Sequence, residues 1–111
     1  MSPARGEVWQ FDLGMAAKVR PVLVVSVPYA ENDRALITIV PHSTSVRGSQ
    51  FEVPVHAPFL KPGAFLVQNV ATYPNVRAMR KLGVLRTSEF QRVFDALLRW
   101  LGHETSGMPA R

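Results

Sequence analysis

The sequence predicts a mainly β fold, a small barrel-like sheet of short strands that is followed by one C-terminal helix. Short apolar and β-branched segments are separated by closely spaced Pro and Gly turns, which is typical of a small sheet. Near the end of the chain the apolar period lengthens to that of a helix. Strands do not alternate with helices, so a parallel βαβ architecture is not indicated. At 111 residues the chain has the length of one domain.

Six segments are predicted as strands. Residues 7–13 alternate polar and apolar side chains, the pattern of a half-buried strand, and residues 21–27 form a denser run typical of a central strand. Pro41 is expected to end the third strand, and Pro54 places the fourth at an edge or a bulge. Residues 73–75 are predicted to form a turn. The predicted strands cover residues 7–13, 21–27, 34–40, 51–55, 64–70 and 81–85.

The C-terminal helix is predicted from its end signals and its apolar stripe. Ser88 followed by Gln91 resembles a capping box, and Thr87 is the competing N-cap. Gly102 can supply the left-handed residue that ends a helix. The stripe is expected to face the core, and it consists of Phe90, Val93, Phe94, Leu97, Leu98 and Leu101.

Length and composition narrow the class of protein. We expect one domain over residues 1–102 and a flexible tail over 103–111. The chain has no Cys, which excludes a disulfide scaffold, a thiolate metal site and a cysteine nucleophile. Its three His residues are scattered, so we expect no metal and no cofactor. The longest apolar runs fall far short of the about 20 residues of a membrane helix, and no apolar leader is visible. We therefore expect a cytoplasmic protein.

The net charge of +5 is unevenly distributed. Residues 1–60 carry five basic and five acidic side chains, whereas residues 61–100 carry seven basic and two acidic ones. A basic region attracts polyanions, such as nucleic acid, an acidic protein or anionic lipid. The alternative is a soluble surface that is basic without a partner, and composition alone does not separate the two.

Several motifs follow one another along the chain. The chain opens with Arg-Gly-Glu-Val-Trp at 5–9 and continues with Arg-Pro-Val-Leu-Val-Val-Ser at 20–26. Further motifs are Val-Pro-His-Ser-Thr at 40–44, Phe-Glu-Val at 51–53 and Val-Gln-Asn-Val-Ala-Thr at 67–72. In this order they resemble the MazF/PemK family of toxins, the ribonuclease halves of bacterial toxin–antitoxin pairs, and the resemblance covers nearly the whole chain.

The resemblance implies an SH3-like barrel with a C-terminal helix and a homodimer. It also implies metal-independent, sequence-selective cleavage of single-stranded RNA. The implied partner is a cognate antitoxin with an acidic, unstructured tail, and DNA would be contacted only through that antitoxin. No membrane association is implied.

Three positions depart from the family pattern. The loop between the first two strands, Gly14 to Val19, is shorter than usual. Ser43 stands where the family commonly has threonine. Many members end the fifth strand with Asp-Gln-Val-Arg-Thr, whereas this chain has Gln-Asn-Val-Ala-Thr at 68–72. A carboxylate and an arginine are therefore missing, which bears on cleavage rate and base preference more than on the fold.

The resemblance and the chemistry together give three candidate catalytic residues. Arg20 can bind two phosphate oxygens at once, and Pro21 holds its backbone extended at a strand entry. Ser43 offers a hydroxyl to the scissile phosphate. His42 could act as general acid or base in place of the missing carboxylate. The alternatives are a surface arginine at a strand end, a serine turn that caps the loop, and a solvated loop histidine.

Further polar residues are candidates for binding RNA, because single-stranded RNA exposes both its phosphates and its base edges. Each has the alternative of an ordinary solvated side chain. Trp9 and Phe11 are expected in the core rather than as stacking platforms. The candidate RNA-binding residues are Lys18, Thr44, Arg47, Gln68, Asn69, Thr72 and Arg77, with Asn75, Arg80 and Lys81 as further possibilities.

Two other functions compete with the ribonuclease hypothesis. One is a non-enzymatic toxin of the related CcdB type, which binds DNA gyrase and needs no pairing of Arg20 with Ser43. The other is a catalytically weakened RNA-binding module of the same fold, suggested by the missing carboxylate and arginine. In all three cases we expect a homodimer, because the segment 51–55 reads as an edge strand and Trp100 lies beside the apolar stripe of the helix.

Overall fold

The computed structural model describes residues 2–14 and 18–103. Seven strands and one α-helix account for most of these residues, and two short 3-10 turns, Val67–Asn69 and Asn75–Arg77, flank the sixth strand. No helix within the described ranges is long and apolar enough to cross a membrane. In chain order the elements are β1 (Glu7–Asp12), β2 (Val19–Val24), β3 (Leu36–Ser43), β4 (Glu52–Pro54), β5 (Ala64–Leu66), β6 (Ala71–Pro74), β7 (Ala78–Val84) and α1 (Thr87–Trp100).

All strand pairs are antiparallel, and the sheet has the order β4-β5-β3-β2-β1-β7. On one side β3 pairs with β2, and on the other it pairs with β6 through residues 36–39 and with β5 through residues 42–43. The mainly β prediction with a C-terminal helix is therefore confirmed. Within the described residues the ladder runs from β4 at one edge to β7 at the other, so the barrel-like sheet is open rather than closed.

Strand boundaries differ from the prediction: β2 spans Val19–Val24 rather than 21–27, β7 spans Ala78–Val84 rather than 81–85, and the differences at β3, β5 and β6 have physical reasons. Pro41 does not end β3, because in an antiparallel ladder only alternate residues donate to a given neighbour, and Pro41 pairs opposite Val22. The fifth strand stops at Leu66, where the chain turns into a 3-10 turn. The predicted turn at 73–75 overlaps β6, whose pairing with β3 was missed because a strand of four residues carries too little pattern.

The core divides into two apolar clusters, one on each face of the central strands. Trp9 and Phe11 are buried in the second cluster, which confirms their prediction as core residues. The first cluster packs the sheet against α1, and it includes Val8, Leu23, Val40, Phe65, Val67, Val93 and Leu97. The second also contains Val22, Val24, Ile37 and Ile39.

The helix boundaries correct one prediction and confirm another. Arg86, not Ser88 or Thr87, is the N-cap, because its carbonyl already accepts the first helical hydrogen bond, from the Phe90 N–H at 2.9 Å. No side-chain oxygen caps this end. At the other end Gly102 has a φ of +90°, as predicted for the left-handed stop. The predicted apolar stripe includes Leu101, which is wrong, because this side chain is 63% exposed.

The predicted tail begins with His103, which is exposed, and residues 104–111 lie outside the described residues.

Arg5 fastens the opening segment to the helix. Its guanidinium carbon lies 4.7 Å from the ring centroid of Phe90 and 4.6 Å from that of Phe94, and the two rings are stacked. The guanidinium also donates a hydrogen bond to the carbonyl of Val25. One side chain therefore links the N-terminus, the end of β2 and α1.

Glu7 completes the opening motif. Its Oε1 accepts hydrogen bonds from the Ala4 N–H at 2.8 Å and the Trp9 indole N–H at 2.9 Å, and its Oε2 pairs with Lys81 Nζ at 2.9 Å. Burial acts to raise the pKa of Glu7, but these hydrogen bonds and the Lys81 charge outweigh it and hold the pKa below its ordinary value of 4.5. The motif at 5–9 is thus a structural unit that positions β1.

Replacing Arg5 should destabilise the fold. Arg5→Ala removes two cation–π contacts and a hydrogen bond, and we expect a loss of about 1–2 kcal/mol in the free energy of unfolding. Urea denaturation followed by circular dichroism measures it. Arg34→Ala, which removes an exposed arginine, is the matched control. Equal stability of the two variants would contradict the role given to Arg5.

The lowered pKa of Glu7 makes stability depend on pH. A carboxylate whose pKa is depressed by folding stabilises the protein above its unfolded pKa, and this stabilisation is lost as pH falls through the folded pKa. We therefore expect the midpoint temperature of thermal unfolding to decrease as the pH is lowered below about 4.5. Glu7→Gln should be less stable than wild type at pH 7 and lose less stability on acidification. Parallel pH profiles of variant and wild type would refute this.

Candidate functional site

Two clefts adjoin at Arg20, the residue that lines both. The first cleft has a volume of about 530 Å³ and is formed by β1, β2, β7, the end of β3 and the connection between β4 and β5. The second has about 490 Å³ and is formed by the end of β3, the loop that follows it, and the turn at 67–69. Arg20 itself is half-buried at the start of β2.

Arg20 and Ser43 lie just beyond the end of the ladder between β2 and β3. That ladder ends with Val22 opposite Pro41. Arg20 lies two residues before Val22 and Ser43 two residues after Pro41, so each keeps the face of the paired residue that it follows on from. Both residues line the second cleft. The two residues that the resemblance implied for catalysis therefore occupy one site, although they are far apart in sequence.

The Ser43 hydroxyl takes part in a tight turn. It accepts a hydrogen bond from the Ser45 N–H at 3.0 Å and donates one of 3.3 Å to the Ser45 carbonyl, and the residue is only 7% exposed. This is the loop-capping role that was the alternative for this position. The donated bond is long and therefore weak, so the hydroxyl could donate its proton to a ligand oxygen instead of to the Ser45 carbonyl. The next residue, Thr44, is exposed and lines the first cleft.

Glu52 anchors the loop that carries these hydroxyls. Its Oε1 accepts hydrogen bonds from the three consecutive N–H groups of Arg47, Gly48 and Ser49, at 2.9, 2.7 and 3.0 Å. These bonds, that from Arg47 foremost, lower the pKa of Glu52 and keep it ionised. Oriented backbone amides of this kind form an anion-binding concavity, here occupied by a side chain of the protein. The loop is thereby fixed on one wall of the second cleft.

His42 is a buried residue of a strand rather than a solvated loop residue. It is 3% exposed, packs edge-on against Phe65 at 5.1 Å between ring centroids, and lines the first cleft. Burial lowers the pKa of His42 below 6.5, so the imidazole is neutral at pH 7. Across residues 2–14 and 18–103, Nε2 of His42 is the buried side-chain polar atom that has no hydrogen-bond partner.

Positive charge concentrates in the first cleft. Lys18, Arg20, Lys61 and Arg80 line it, and its described lining includes no Asp or Glu. Lys18 has a φ of +59°, the left-handed conformation, where the chain enters β2. The second cleft contributes Arg47 and the acidic Glu52. Anions are therefore attracted most strongly to the side of Arg20 that faces the first cleft.

Eight of the ten predicted site residues line the two clefts. Thr72 and Arg77 do not. Thr72 bonds Thr38 through their hydroxyls at 2.7 Å, and Arg77 donates to the Asp12 carbonyl at 3.2 Å. The first cleft takes Lys18, Arg20, His42 and Thr44, and the second takes Arg20, Ser43, Arg47, Gln68 and Asn69.

Sequence reasoning missed two polar residues that line the first cleft, Gln10 and Lys61. Gln10 is a polar position of an alternating strand, which ordinarily faces solvent. Lys61 lies in a turn with no motif of its own. Among the described residues no three His, Asp or Glu side chains are grouped as a metal site would require.

The fold is that of known toxins. Over 91% of its length the chain superposes on a mycobacterial endoribonuclease in complex with its cognate antitoxin, with 25% identity, a TM-score of 0.78 and 96% of that chain covered. The Mycobacterium tuberculosis toxin MazF-mt6 matches with 26% identity and a TM-score of 0.75, over 88% of this chain and 98% of that one.

A MazE–MazF structure from Deinococcus radiodurans reaches a TM-score of 0.79 at 21% identity, over 94% of this chain and 99% of that chain, which shows likeness of fold. No curated protein sequence matches the chain. Residues 4–101 match the family of PemK-like, MazF-like toxins of type II toxin–antitoxin systems. Because this match covers nearly all of the described residues, the chain belongs to that family.

Proposed function

We propose that this chain is the toxin of a type II toxin–antitoxin pair and cleaves single-stranded RNA, with Arg20 as the residue that contacts the scissile phosphate. The observation that carries the proposal is the position of Arg20, which lines both clefts and shares the second of them with Ser43. An RNA strand that occupied both clefts would have one phosphate at their junction, next to Arg20. The similar mycobacterial endoribonuclease supports the same activity.

The proposed reaction uses the RNA's own 2′-hydroxyl as nucleophile. Its oxygen attacks the adjacent phosphorus and the bond to the 5′-oxygen breaks, which leaves a 2′,3′-cyclic phosphate and a free 5′-hydroxyl. The guanidinium of Arg20 binds two non-bridging oxygens and stabilises the negative charge that develops on them. We assign the guanidinium no proton transfer. A metal ion is not needed for this chemistry.

His42 and Ser43 are proposed to assist from opposite sides of Arg20. The neutral imidazole of His42, which lines the first cleft, accepts the proton of the 2′-hydroxyl. The Ser43 hydroxyl hydrogen-bonds a phosphate oxygen in place of the Ser45 carbonyl. The leaving 5′-oxygen takes its proton from water.

The remaining cleft residues are proposed to bind RNA. Lys18, Thr44 and Arg47 contact phosphates, while Gln68 and Asn69 read base edges in the second cleft. Thr72 and Arg77 are left out of this interface because of the contacts that they make elsewhere.

We also propose a cognate antitoxin with an acidic segment as the inhibitory partner in the cytoplasm. The described lining of the first cleft carries four cations and no carboxylate, which complements such a segment. The similar mycobacterial toxin is itself bound to an antitoxin. The segment would exclude RNA by occupying the same cleft, and DNA would be contacted only through the antitoxin.

A homodimer is proposed from the edge of the sheet next to the helix. β4 is the outermost strand on its side, and Trp100 is 41% exposed while packing on Phe51 at 5.3 Å between ring centroids. Leu101 adds exposed apolar surface beside it. Such a surface next to a free strand edge favours a second copy of the chain.

Arg20→Ala should remove most RNA cleavage while the fold stays intact. One preorganised donor to a transition-state charge contributes about 10²–10³-fold in rate. Arg20→Lys should not restore activity, because an ammonium lacks the planar two-point contact. The measurement is single-turnover cleavage of a long unstructured RNA in EDTA, with circular dichroism as the folding check. Arg92→Ala, which removes a helix arginine that lines neither cleft, is the charge-matched control.

The same assay separates the competing functions. Fragments that end in a 2′,3′-cyclic phosphate support the proposed reaction, whereas inhibition by EDTA would contradict its metal-free part. Ser43→Ala should reduce the rate about 10–100-fold, and Ser43→Thr should keep it. RNA binding without cleavage by the wild-type protein would favour a weakened RNA-binding module. Full cleavage by folded Arg20→Ala would defeat the mechanism.

Cleavage should depend on pH through His42. A base must be unprotonated to act, so the rate falls as pH falls through the pKa of His42. Because burial lowers that pKa, the fall should occur below pH 6.5 rather than near neutrality. The rate of His42→Ala should be lower and flat over this range. A wild-type rate that does not fall as the pH is lowered below 6.5 would rule out His42 as the base.

A further inference from the structure

The first cleft is lined by apolar side chains as well as by cations. Apolar side chains from β2, β7 and the β4–β5 connection line it together with the four cations already named. Its volume of about 530 Å³ lies within the range of about 300–1,000 Å³ that is usual for small-molecule sites. The apolar part is formed by Val19, Pro21, Phe59, Leu60 and Leu82.

Strand register builds one side of the cleft. Gln10 of β1 pairs with Pro21 of β2 on one side and with Arg80 of β7 on the other. Directly paired residues lie on the same face of a sheet, so these three form a row across it. All three line the cleft, with the half-buried Gln10 in the middle. An amide that can both donate and accept hydrogen bonds therefore stands among apolar side chains.

Close packing fixes the opposite wall. A Cβ at Gly83 would lie 2.4 Å from a ring carbon of Phe59, so the ring rests directly on the glycine backbone. A Cβ at Gly63 would lie 2.1 Å from the Ser43 carbonyl oxygen and 2.9 Å from Cε1 of His42. These glycines let the connection between β4 and β5 lie against the sheet, and Leu60 and Lys61 are held there with it.

We propose that the first cleft is the specificity subsite for the nucleotide immediately 5′ of the cut, an inference that rests on the proposed function. The base leaves its stack and lies against Phe59 and Leu60, and the Gln10 amide hydrogen-bonds its edge. Lys61 and Arg80 bind the flanking phosphate. Apolar faces give affinity for any base, whereas the amide supplies the discrimination between bases.

The position of His42 decides which nucleotide enters the cleft. His42 lines the first cleft and not the second. The nucleotide bound there therefore presents its 2′-hydroxyl to His42 and its 3′-phosphate to Arg20. The RNA on the 3′ side of the cut enters the second cleft.

The test maps the ends of RNA fragments at single-nucleotide resolution. For wild type, Gln10→Ala and Phe59→Leu, a long unstructured RNA is cleaved and the terminal base of each upstream fragment is counted. We expect the base preference at that position to weaken about tenfold in Gln10→Ala, the scale of one lost polar contact. Phe59→Leu retains an apolar wall and should lower affinity with little loss of base preference. Preferences at other positions should not change.

Binding is measured separately with an RNA oligonucleotide that carries a 2′-deoxy sugar at the cut. Lys61→Ala and Arg80→Ala should each raise the Kd similarly for all sequences and reduce the salt dependence by about one phosphate contact. Arg92→Ala, which removes the same charge on α1, should leave the Kd unchanged. This readout does not depend on cleavage.

The outcomes distinguish this subsite from the proposed function. Wild-type cleavage with an unaltered 5′-base preference in folded Gln10→Ala overturns the subsite and leaves the ribonuclease standing. A wild-type protein that binds the 2′-deoxy oligonucleotide but cleaves no RNA overturns the ribonuclease instead. If Lys61→Ala and Arg80→Ala weaken binding of a glutamate-rich peptide but not of RNA, the cleft is a protein-binding site and the proposal fails.

Discussion

The pairing of β3 with its three neighbours is the constraint on which the rest of the structure depends. β3 joins β2 on one side and β6 and β5 on the other, and its side chains alternate between the two core clusters. Because the period of a strand is two, a slip of one residue would exchange the faces of every side chain along it. Such a slip would bury Ser43 where His42 now lies and separate it from Arg20. The stability of the core and the assembly of the site are therefore set by one register.

Around this register the protein uses its ionised side chains to fix irregular backbone. Glu7 holds the entry to β1, Glu52 holds the loop after β3, and Arg5 fastens the N-terminal segment to the helix. In each case a charged side chain makes its hydrogen bonds or ring contacts within the protein and holds a segment that has no regular secondary structure. The cations near the clefts are different, because the four along the first cleft face no carboxylate of its described lining. The structure thus separates charges that support the fold from charges that are available to a ligand.

The glycines at the clefts show how backbone space serves the site. Gly63 and Gly83 lie where any side chain would collide with backbone or with an aromatic ring. Their absence of a Cβ allows the β4–β5 connection to approach the sheet and to form a wall of the first cleft. A site with two walls excludes water better than an open sheet does, which strengthens electrostatic contacts to a bound anion.

The sequence by itself determined the fold class, the core of β1 and β2, the helix and the family. These follow from local periodicity and from motifs that are contiguous in the chain, such as residues 5–9 and 20–26. It also predicted Arg20, His42 and Ser43 as candidate catalytic residues, although it could not show that His42 is buried or that the Ser43 hydroxyl closes a turn. Only the tertiary structure decided that Gln10 and Lys61 belong to the first cleft and that Thr72 and Arg77 do not. The physical reason is that a cleft is made where separate strands and connections meet, and strand register is set by long-range pairing that no local pattern records.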